Sequence, residues 1–580
     1  MNIPTQAVHS AARPRPGRLL LAVIVALNLA LALYANGWGT PDRWHPDEMD
    51  IVAADMASHG TLNPHSFPYG GWHYYILAIG AALPVELYNA AFDPRPADSQ
   101  HAKLSAWRDR KNSHVKILAR SVSAVLGAAI VVCTYLMADG LYGASTALLA
   151  SLFMAVAPYF VLIEHFSTVD VDASFWYWLS CLFSLNLWKR NTRPWYALAA
   201  FTAGLATGTK VDRLLALIPL ALAGLWRELH WRTRLLKLLR YGMLVPVGYA
   251  VANPTMMTSF FEFLDGTTRD LFFNMMRGTA GSQEAMLAEF RVGLGLPLCI
   301  VVVLSLAFVL YEIVCNRRRK EALWLLAAIV PSLLLFGSRL SLSWYLPFFF
   351  PGLVTIAAYG CVSLARRTTG LSGIGLGLLV TSVVVWCLCR SVTVDLQFEN
   401  DSRYLAARWI RANIPEGSAI EIGQRGPRLP AQMYAMRPPV PLSGSFYDFA
   451  KPWRDALNSN ARYQALRNFI LTFERSVDGH LGLEPRPRPY QGWFDRIPTG
   501  PDEPVTALNP APASEYRVLV DYVDGTVVDQ LQRPDSGYRL LKSFHYDPPG
   551  FLATPFPFVN PVVYIFKSNL PGHHSPIGQQ

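Results

Sequence analysis

The sequence predicts an α-helical, multi-pass membrane protein of about eleven transmembrane helices, carrying a small α/β domain after its last span. Three observations lead there. Charged residues make up 16% and hydrophobic residues 52% of the 580 positions, where a typical soluble domain is about 25% charged. Apolar runs long enough to cross a bilayer recur from residue 19 to residue 390. Strand-like text appears only beyond residue 394. An ordinary soluble enzyme is excluded by this composition.

The net charge of +10 reads as topology and not as nucleic-acid binding, because Lys and Arg gather in short clusters between apolar runs. The first apolar run follows Arg13, Arg15 and Arg18 without a small-residue cleavage site, so it reads as a retained helix. All seven cysteines (Cys133, Cys181, Cys299, Cys315, Cys361, Cys387 and Cys389) lie in or at the ends of apolar runs. No metal-type spacing occurs among them, and core packing is expected.

Eleven candidate spans follow in order: 19–36, 117–138, 144–163, 172–188, 194–209, 211–226, 235–253, 292–315, 321–337, 344–365 and 371–390. A further stretch, Trp72 to Phe92, is broken in the text by Pro84 and Glu86. If it does not span, basic loops such as Lys189–Arg193, Arg227–Arg240 and Arg317–Lys320 fall on the cytoplasmic side, as the positive-inside rule requires. The expectation is therefore a cytoplasmic N-terminus in the plasma (inner) membrane. Residues 37–116 then form one long outer loop with an interfacial or re-entrant element at Trp72–Phe92. Residues 1–393 make the membrane module and 394–580 an extracytoplasmic α/β domain. That domain shows a helical stretch at Ser402–Asn413 and β-like runs at Ala419–Ile422, Tyr516–Tyr522, Tyr538–Phe544 and Val562–Phe566. Leu483–Pro510 is Pro-rich and reads as a loop.

Candidate chemistry collects on the outer side. In Trp44-His45-Pro46-Asp47-Glu48-Met49-Asp50, Pro46 suits a first helical position, which puts Asp47 and Glu48 in a first turn where the helix dipole favours ionised carboxylates. Met49, Val52 and Met56 would give that helix one apolar face to lay on the membrane. A second acidic site, Asp170-Val171-Asp172, can bind a divalent metal or cap the helix that follows. Lys210, Asp212 and Arg213 between two spans, and Arg339 before Tyr345-Leu346-Pro347, are cations at outer span ends. They serve as snorkelling anchors, with Lys210 and Asp212 as a turn pair, or as a phosphate clamp. His45, His65, Tyr69, His165 and Tyr345 are candidate acceptor or substrate contacts, with ordinary interfacial hydrogen bonding as the bland reading of the histidines.

Taken together these residues resemble a family. The Asp-Glu of the first outer loop, Leu62-Asn63-Pro64-His65…Tyr69…Tyr74-Tyr75, and Ala119-Arg120…Leu126-Gly127 are similar to glycosyltransferase family 39. So are Asp170, Thr209-Lys210 and Arg339…Tyr345-Leu346-Pro347. That group holds the protein O-mannosyltransferases and is similar to the lipid A aminoarabinose transferases, within the GT-C superfamily. The resemblance implies an inverting hexosyl- or pentosyltransferase whose donor is a polyprenyl-phosphate-linked sugar and whose acceptor is a glycan, lipid or protein. It implies Asp47 as the catalytic carboxylate with Glu48 beside it, and Asp170 as the later loop acid.

The residue types suit that chemistry on their own. A hydroxyl attacking an anomeric carbon needs a carboxylate to take its proton, and a leaving phosphate needs cations. No Walker A or dinucleotide fingerprint is present, since Gly373, Gly375 and Gly377 lie in an apolar span. A transporter would place ionisable groups at mid-span and show paired repeats; the acids here sit at span ends and no repeat is visible. An oligosaccharide ligase or polymerase would share the lipid donor.

Overall fold

A computed structural model of the chain describes residues 15–42, 44–65, 67, 69–227, 231–277, 283–315, 317–337, 343–423, 425–430, 433–437, 459–481, 514–556 and 558–569. The fold class is as predicted, a helical membrane module followed by a small mixed sheet with helices.

The module opens with α1 (Arg15–Leu33), then α2 (Asp50–His59), α3 (Gly71–Leu77) and α4 (Leu83–Phe92). The exceptionally long α5 (His101–Tyr142) has 42 residues, about 63 Å at 1.5 Å per residue. That is twice a bilayer's hydrocarbon core, so its first four turns, carrying Lys103, Arg108, Arg110 and Lys111, project beyond it. Next come α6 (Ala144–Ala155), α7 (Pro158–Glu164), α8 (Val169–Arg190) and α9 (Arg193–Thr209). A 3-10 turn at Val211–Ala216 leads into α10 (Leu217–Arg227), followed by α11 (Trp231–Gly242), α12 (Leu244–Ala252), α13 (Thr255–Thr258), α14 (Phe260–Arg277) and α15 (Gln283–Leu294). The last membrane helices are α16 (Leu296–Val314), α17 (Arg319–Gly337), α18 (Phe350–Ala365), entered through a 3-10 turn at Ser343–Phe349, and α19 (Gly370–Glu399).

Each expected span lies on helix, although the third is bent by 60° between α6 and α7, where Pro158 starts the second piece. Among the described residues six helices are long and apolar enough to cross a membrane, or seven with the bent pair. One of the six is Gly71–Phe92, which corrects the reading of Trp72–Phe92 as an interrupted stretch. A π turn at Ala78–Ala82 sits just before Pro84 and absorbs the missing hydrogen bond. Glu86 is paired with Lys111 of α5 at 2.5 Å, so neither residue breaks the run. The cysteines form no disulfide, but Cys315 and Cys389 are exposed and not in the core.

The second domain starts with α20 (Ser402–Asn413), capped by the Asp401 carboxylate, which accepts from the Arg403 N–H. Its sheet runs β1 (Ala419–Ile422), β2 (Ala435–Arg437), β3 (Tyr516–Val520), β4 (Tyr538–Phe544) and β5 (Val563–Ser568), in the order β2-β1-β3-β5-β4. β1 is parallel to β2 and β3, while β5 is antiparallel to β3 and β4. α20 buries Ala406, Ala407 and Ile410 against Ile420, Val518 and Ile565 of the sheet. Strand β3 stops at Val520, two residues short of the expected run, because α22 (Asp521–Leu531) begins there. β2, α22 and α21 (Ala461–Leu481) were not read from the sequence. The Pro-rich Leu483–Pro510 stretch lies outside the described residues.

The domain is tied to the loop between α1 and α2. The Trp38 indole donates to Asp401 Oδ2 at 3.0 Å, and the Gly39 N–H donates to the Tyr404 hydroxyl at 2.8 Å. The Arg403 guanidinium lies 3.8 Å from the Trp44 ring centre.

Candidate active site

The Trp44–Asp50 segment is not a helix start. Helix α2 begins at Asp50, with Met49 as its N-cap, so Asp47 and Glu48 precede it in a turn. The two acids part company there. Asp47 is half-buried, whereas Glu48 is fully buried. Arg120 holds both Glu48 oxygens, Nε to Oε1 at 2.7 Å and Nη2 to Oε2 at 3.0 Å, and Lys116 approaches at 3.6 Å. Burial alone would raise the Glu48 pKa, but the charges of Arg120 and Lys116 outweigh it and hold the carboxyl at about 2. Glu48 is thus fixed as an anion with its lone pairs engaged, and it is Asp47 that keeps access to solvent.

His45 positions Asp47. Its Nδ1 accepts the Asp47 N–H at 3.2 Å, and its ring sits on Phe166 with centroids 4.2 Å apart. Burial pushes His45 down to about 3, so it is neutral at physiological pH, with Nδ1 as the acceptor. The apolar face of α2 packs its Met49, Ala53 and Met56 on Tyr74, Leu77, Ala81 and Val115. That corrects the expectation that this face lies on the membrane.

Asp170 and Asp172 occupy the first turn of α8 and take different partners. Lys210 Nζ donates to Asp170 Oδ1 at 2.8 Å, so Lys210 pairs with Asp170 and not with Asp212. Asp172 accepts from the Trp176 indole at 2.8 Å and lies 3.4 Å from His73 Nδ1. Among the described residues no group of three or more His, Cys, Asp or Glu is placed to hold a metal ion.

The Lys210 ammonium also sits 3.8 Å from the Tyr345 ring centre and 6.0 Å from that of Tyr69. Burial would lower its pKa, but the Asp170 carboxylate reverses the sign and raises it, so Lys210 stays charged. Three residues on, Arg213 is 1% exposed and stacks on Phe348 at 3.7 Å. Asp212 is 3.5 Å from its Nη1, yet none of its three guanidinium nitrogens makes a hydrogen bond among the described residues. A buried guanidinium without hydrogen bonds is costly unless an anion completes it.

Tyr69 links the two halves. Its hydroxyl pKa is raised by burial first, then by the negative charge of Asp47, by Tyr345 and by Asp170. The loop carrying it is pressed onto α9. The Gly70 N–H donates to Thr209 O at 3.0 Å, the Gly71 N–H to Asn253 Oδ1 at 2.7 Å, and Asn253 Nδ2 to Gly208 O at 3.2 Å. A Cβ on Gly70 would lie 1.6 Å from the Gly208 carbonyl oxygen, so only glycine lets the loop close there.

The remaining candidates sit elsewhere. His65 is held by Glu262 at 2.8 Å, and His165 by the carbonyls of Val161 and Tyr34 at 2.8 and 3.0 Å. Both fasten loops. Arg339 lies outside the described residues. Sequence reasoning missed Arg120, Lys116 and His73 as the partners that set the two acidic sites. The signal was present, since a charge at the start of an apolar span requires a partner.

Known proteins resemble this chain in part. The family described as dolichyl-phosphate-mannose-protein mannosyltransferase matches residues 113–257, and no curated protein matches the sequence. Among solved structures, ArnT from Cupriavidus metallidurans bound to undecaprenyl phosphate is 15% identical, with a TM-score of 0.44 over 97% of this chain and 99% of that one. The oligosaccharyltransferase of Archaeoglobus fulgidus in the apo form is 12% identical, with a TM-score of 0.44 over 71% of this chain. The chain spans 63% of that protein's length. The arabinofuranosyltransferase AftD from Mycobacteria is 14% identical, with a TM-score of 0.43 over 96% of this chain and 40% of that one. The family similarity thus covers the stretch from α5 to α13, and that stretch brings Arg120, Asp170, Lys210 and Arg213 to the site.

Proposed function

We propose that the chain is a membrane glycosyltransferase of the GT-C type, moving a sugar from a polyprenyl-phosphate-linked donor to a hydroxyl of a lipid, glycan or protein at the outer face of the membrane. The observation that supports this best is a pair of buried cations three residues apart, Lys210 against the rings of Tyr345 and Tyr69 and Arg213 against that of Phe348. Lys210 is held by Asp170, and Arg213 has hydrogen-bond donors with no partner among the described residues.

In this reading the acceptor hydroxyl attacks the anomeric carbon as the bond from that carbon to the phosphate oxygen breaks. The phosphate leaves with the electron pair, and the configuration at carbon inverts. The hydroxyl proton passes to Asp47, the carboxylate with solvent access. Lys210 and Arg213 meet the phosphate charge, and Asp170 aims the ammonium. Glu48, locked by Arg120, fixes the turn that presents Asp47. A metal at Asp170 and Asp172 would have to displace Lys210, His73 and Trp176.

The test is turnover of radiolabelled polyprenyl-phosphate hexoses and pentoses by the purified protein in nanodiscs. Release of polyprenyl phosphate that depends on Asp47 is expected. Tight binding of a donor with no cleavage, combined with its movement across proteoliposomes, would replace the enzyme with a carrier.

A further inference from the structure

A second concave site lies away from Lys210, where the C-terminal domain meets the first outer loop. It is a cleft of about 690 Å³, within the size range of small-molecule sites. Trp38, Trp44 and Asp42 of the loop line one side, with Ala35 and Gly37 from the end of the first span. Arg403, Arg408, Arg411 and Arg428 line the other, with Phe398 and Glu399 at the end of α19.

The charge on the domain side is not balanced. Helix α20, Ser-Arg-Tyr-Leu-Ala-Ala-Arg-Trp-Ile-Arg-Ala-Asn, contains no acid. Arg403 is satisfied by Asp401 at 2.7 Å, and Arg428 by Asp42 and Asp109. Arg408 and Arg411 are exposed and have no carboxylate within ion-pair distance among the described residues. They are three residues apart, hence neighbours on one face, where like charges repel. Glu399, on the same side at the end of α19, is the one lining acid without an arginine partner among the described residues.

The opposite wall is rigid and shared with the candidate catalytic turn. Arg120 Nη1 donates to the carbonyls of Asn36 and Trp38 at 3.0 and 2.5 Å while its other nitrogens hold Glu48. Trp44 and Asp47 are three residues apart, at most roughly 11 Å along the chain. The mouth adjoins lipid-side surface, since Leu33, Tyr34, Val392 and Leu396 at the ends of α1 and α19 are exposed.

We infer that this cleft binds the acceptor, and that the acceptor is an amphiphile whose head carries a phosphate or carboxylate. Its anionic group pairs with Arg408 and Arg411, its apolar part follows the α1 and α19 surface, and its hydroxyl reaches Asp47. The inference rests on the glycosyltransferase reading for the role of the bound molecule, whereas the binding itself does not depend on it.

The probes are dioctanoyl phosphatidic acid, dioctanoylglycerol and inorganic phosphate, titrated into the full-length protein in detergent. Wild type is expected to bind the phosphatidic acid at least about tenfold tighter than the uncharged lipid, and more weakly at high salt. In Arg408→Gln/Arg411→Gln, two exposed positions whose loss leaves the fold intact, that preference should shrink by roughly 10-fold or more. Titration with undecaprenyl phosphate should be unchanged in that variant and weakened in Lys210→Ala. This separates failure of the cleft from failure of the donor site. Equal binding of both lipids, or a preference that survives the double substitution, would overturn the inference. Binding of inorganic phosphate as tight as that of phosphatidic acid would keep the anion site but overturn the amphiphile.

Discussion

Glu48 and Arg120 form a two-point ion pair, at 2.7 and 3.0 Å, with both side chains withdrawn from solvent. Adjacent acids in one turn have therefore been given different work. Glu48 holds the loop between α1 and α2 to α5, and Asp47 beside it keeps solvent access. Removing one partner of such a pair leaves a buried charge. Arg120→Met should cost about 3–5 kcal/mol of stability, read as a fall in melting temperature in detergent. Glu48→Gln/Arg120→Met should recover part of it. A single Arg120→Met variant as stable as wild type would mean the pair is dispensable.

Asp47→Asn keeps shape and removes basicity. Turnover of the donor should fall by about 10²–10⁴-fold with normal protein levels and donor affinity. Near-normal turnover would move the proton to Asp170, because Glu48 at about 2 is too acidic to accept it at neutral pH.

Much of the fold was legible because membrane helices announce themselves by apolar length, and α20 and β1 by a helical stretch followed by a β-like run. The site was legible as residue types, since Asp47, Asp170 and Lys210 stand out against apolar surroundings. What sequence could not supply was pairing. Lys210 next to Asp212 in the chain suggested a local turn, yet the ammonium crosses to Asp170, 40 residues away. Glu86 looked like a break until Lys111 neutralised it across a hairpin. The strand β2 has three residues, too few for a period to show.

Acid should loosen the outer loop before it affects the ion pair. His45 is held at about 3 and His165 at about 4, both by burial. An unfolded chain takes up protons at these histidines near pH 6.5. Their stabilising contribution is therefore full above pH 6.5 and is lost as pH falls toward 4 and 3. Glu48, depressed to about 2, adds its own loss only below about 4.5. Melting temperature should decline from pH 7 to pH 4.5, and His45→Phe, which keeps the ring stack, should flatten that slope. An unaltered slope would clear His45 of the effect.

The cation pair predicts a difference in kind between two substitutions. Lys210→Ala and Arg213→Met should each weaken donor binding or turnover by roughly 10- to 150-fold, the worth of a charged hydrogen bond to phosphate. Lys210→Ala also leaves Asp170 buried without its counter-ion, so it should melt earlier. Arg213 carries unmet donors among the described residues, so its replacement by an apolar side chain of similar length should hold or raise the melting point. Undecaprenyl phosphate should stabilise wild type and fail to stabilise Arg213→Met. Loss of ligand-free stability in Arg213→Met, with donor affinity intact, would make this guanidinium a structural prop.

Gly70 offers the sharpest steric test of how the site is closed. Its missing side chain is what lets the Tyr69 loop lie on the Gly208 carbonyl, since a Cβ there would stand only 1.6 Å from that oxygen. The neighbour is backbone at the end of α9, so it cannot rotate away as a side chain would. Gly70→Ala must lift the loop, and with it Tyr69, off Lys210. Because the displaced loop is short and at the surface of the module, the fold should survive at a cost of about 1–3 kcal/mol. Donor affinity should fall more than acceptor affinity, measured by separate titrations of the two. If Gly70→Ala binds donor as wild type does, Tyr69 is not part of the donor site, and the aromatic cover over Lys210 reduces to Tyr345 alone.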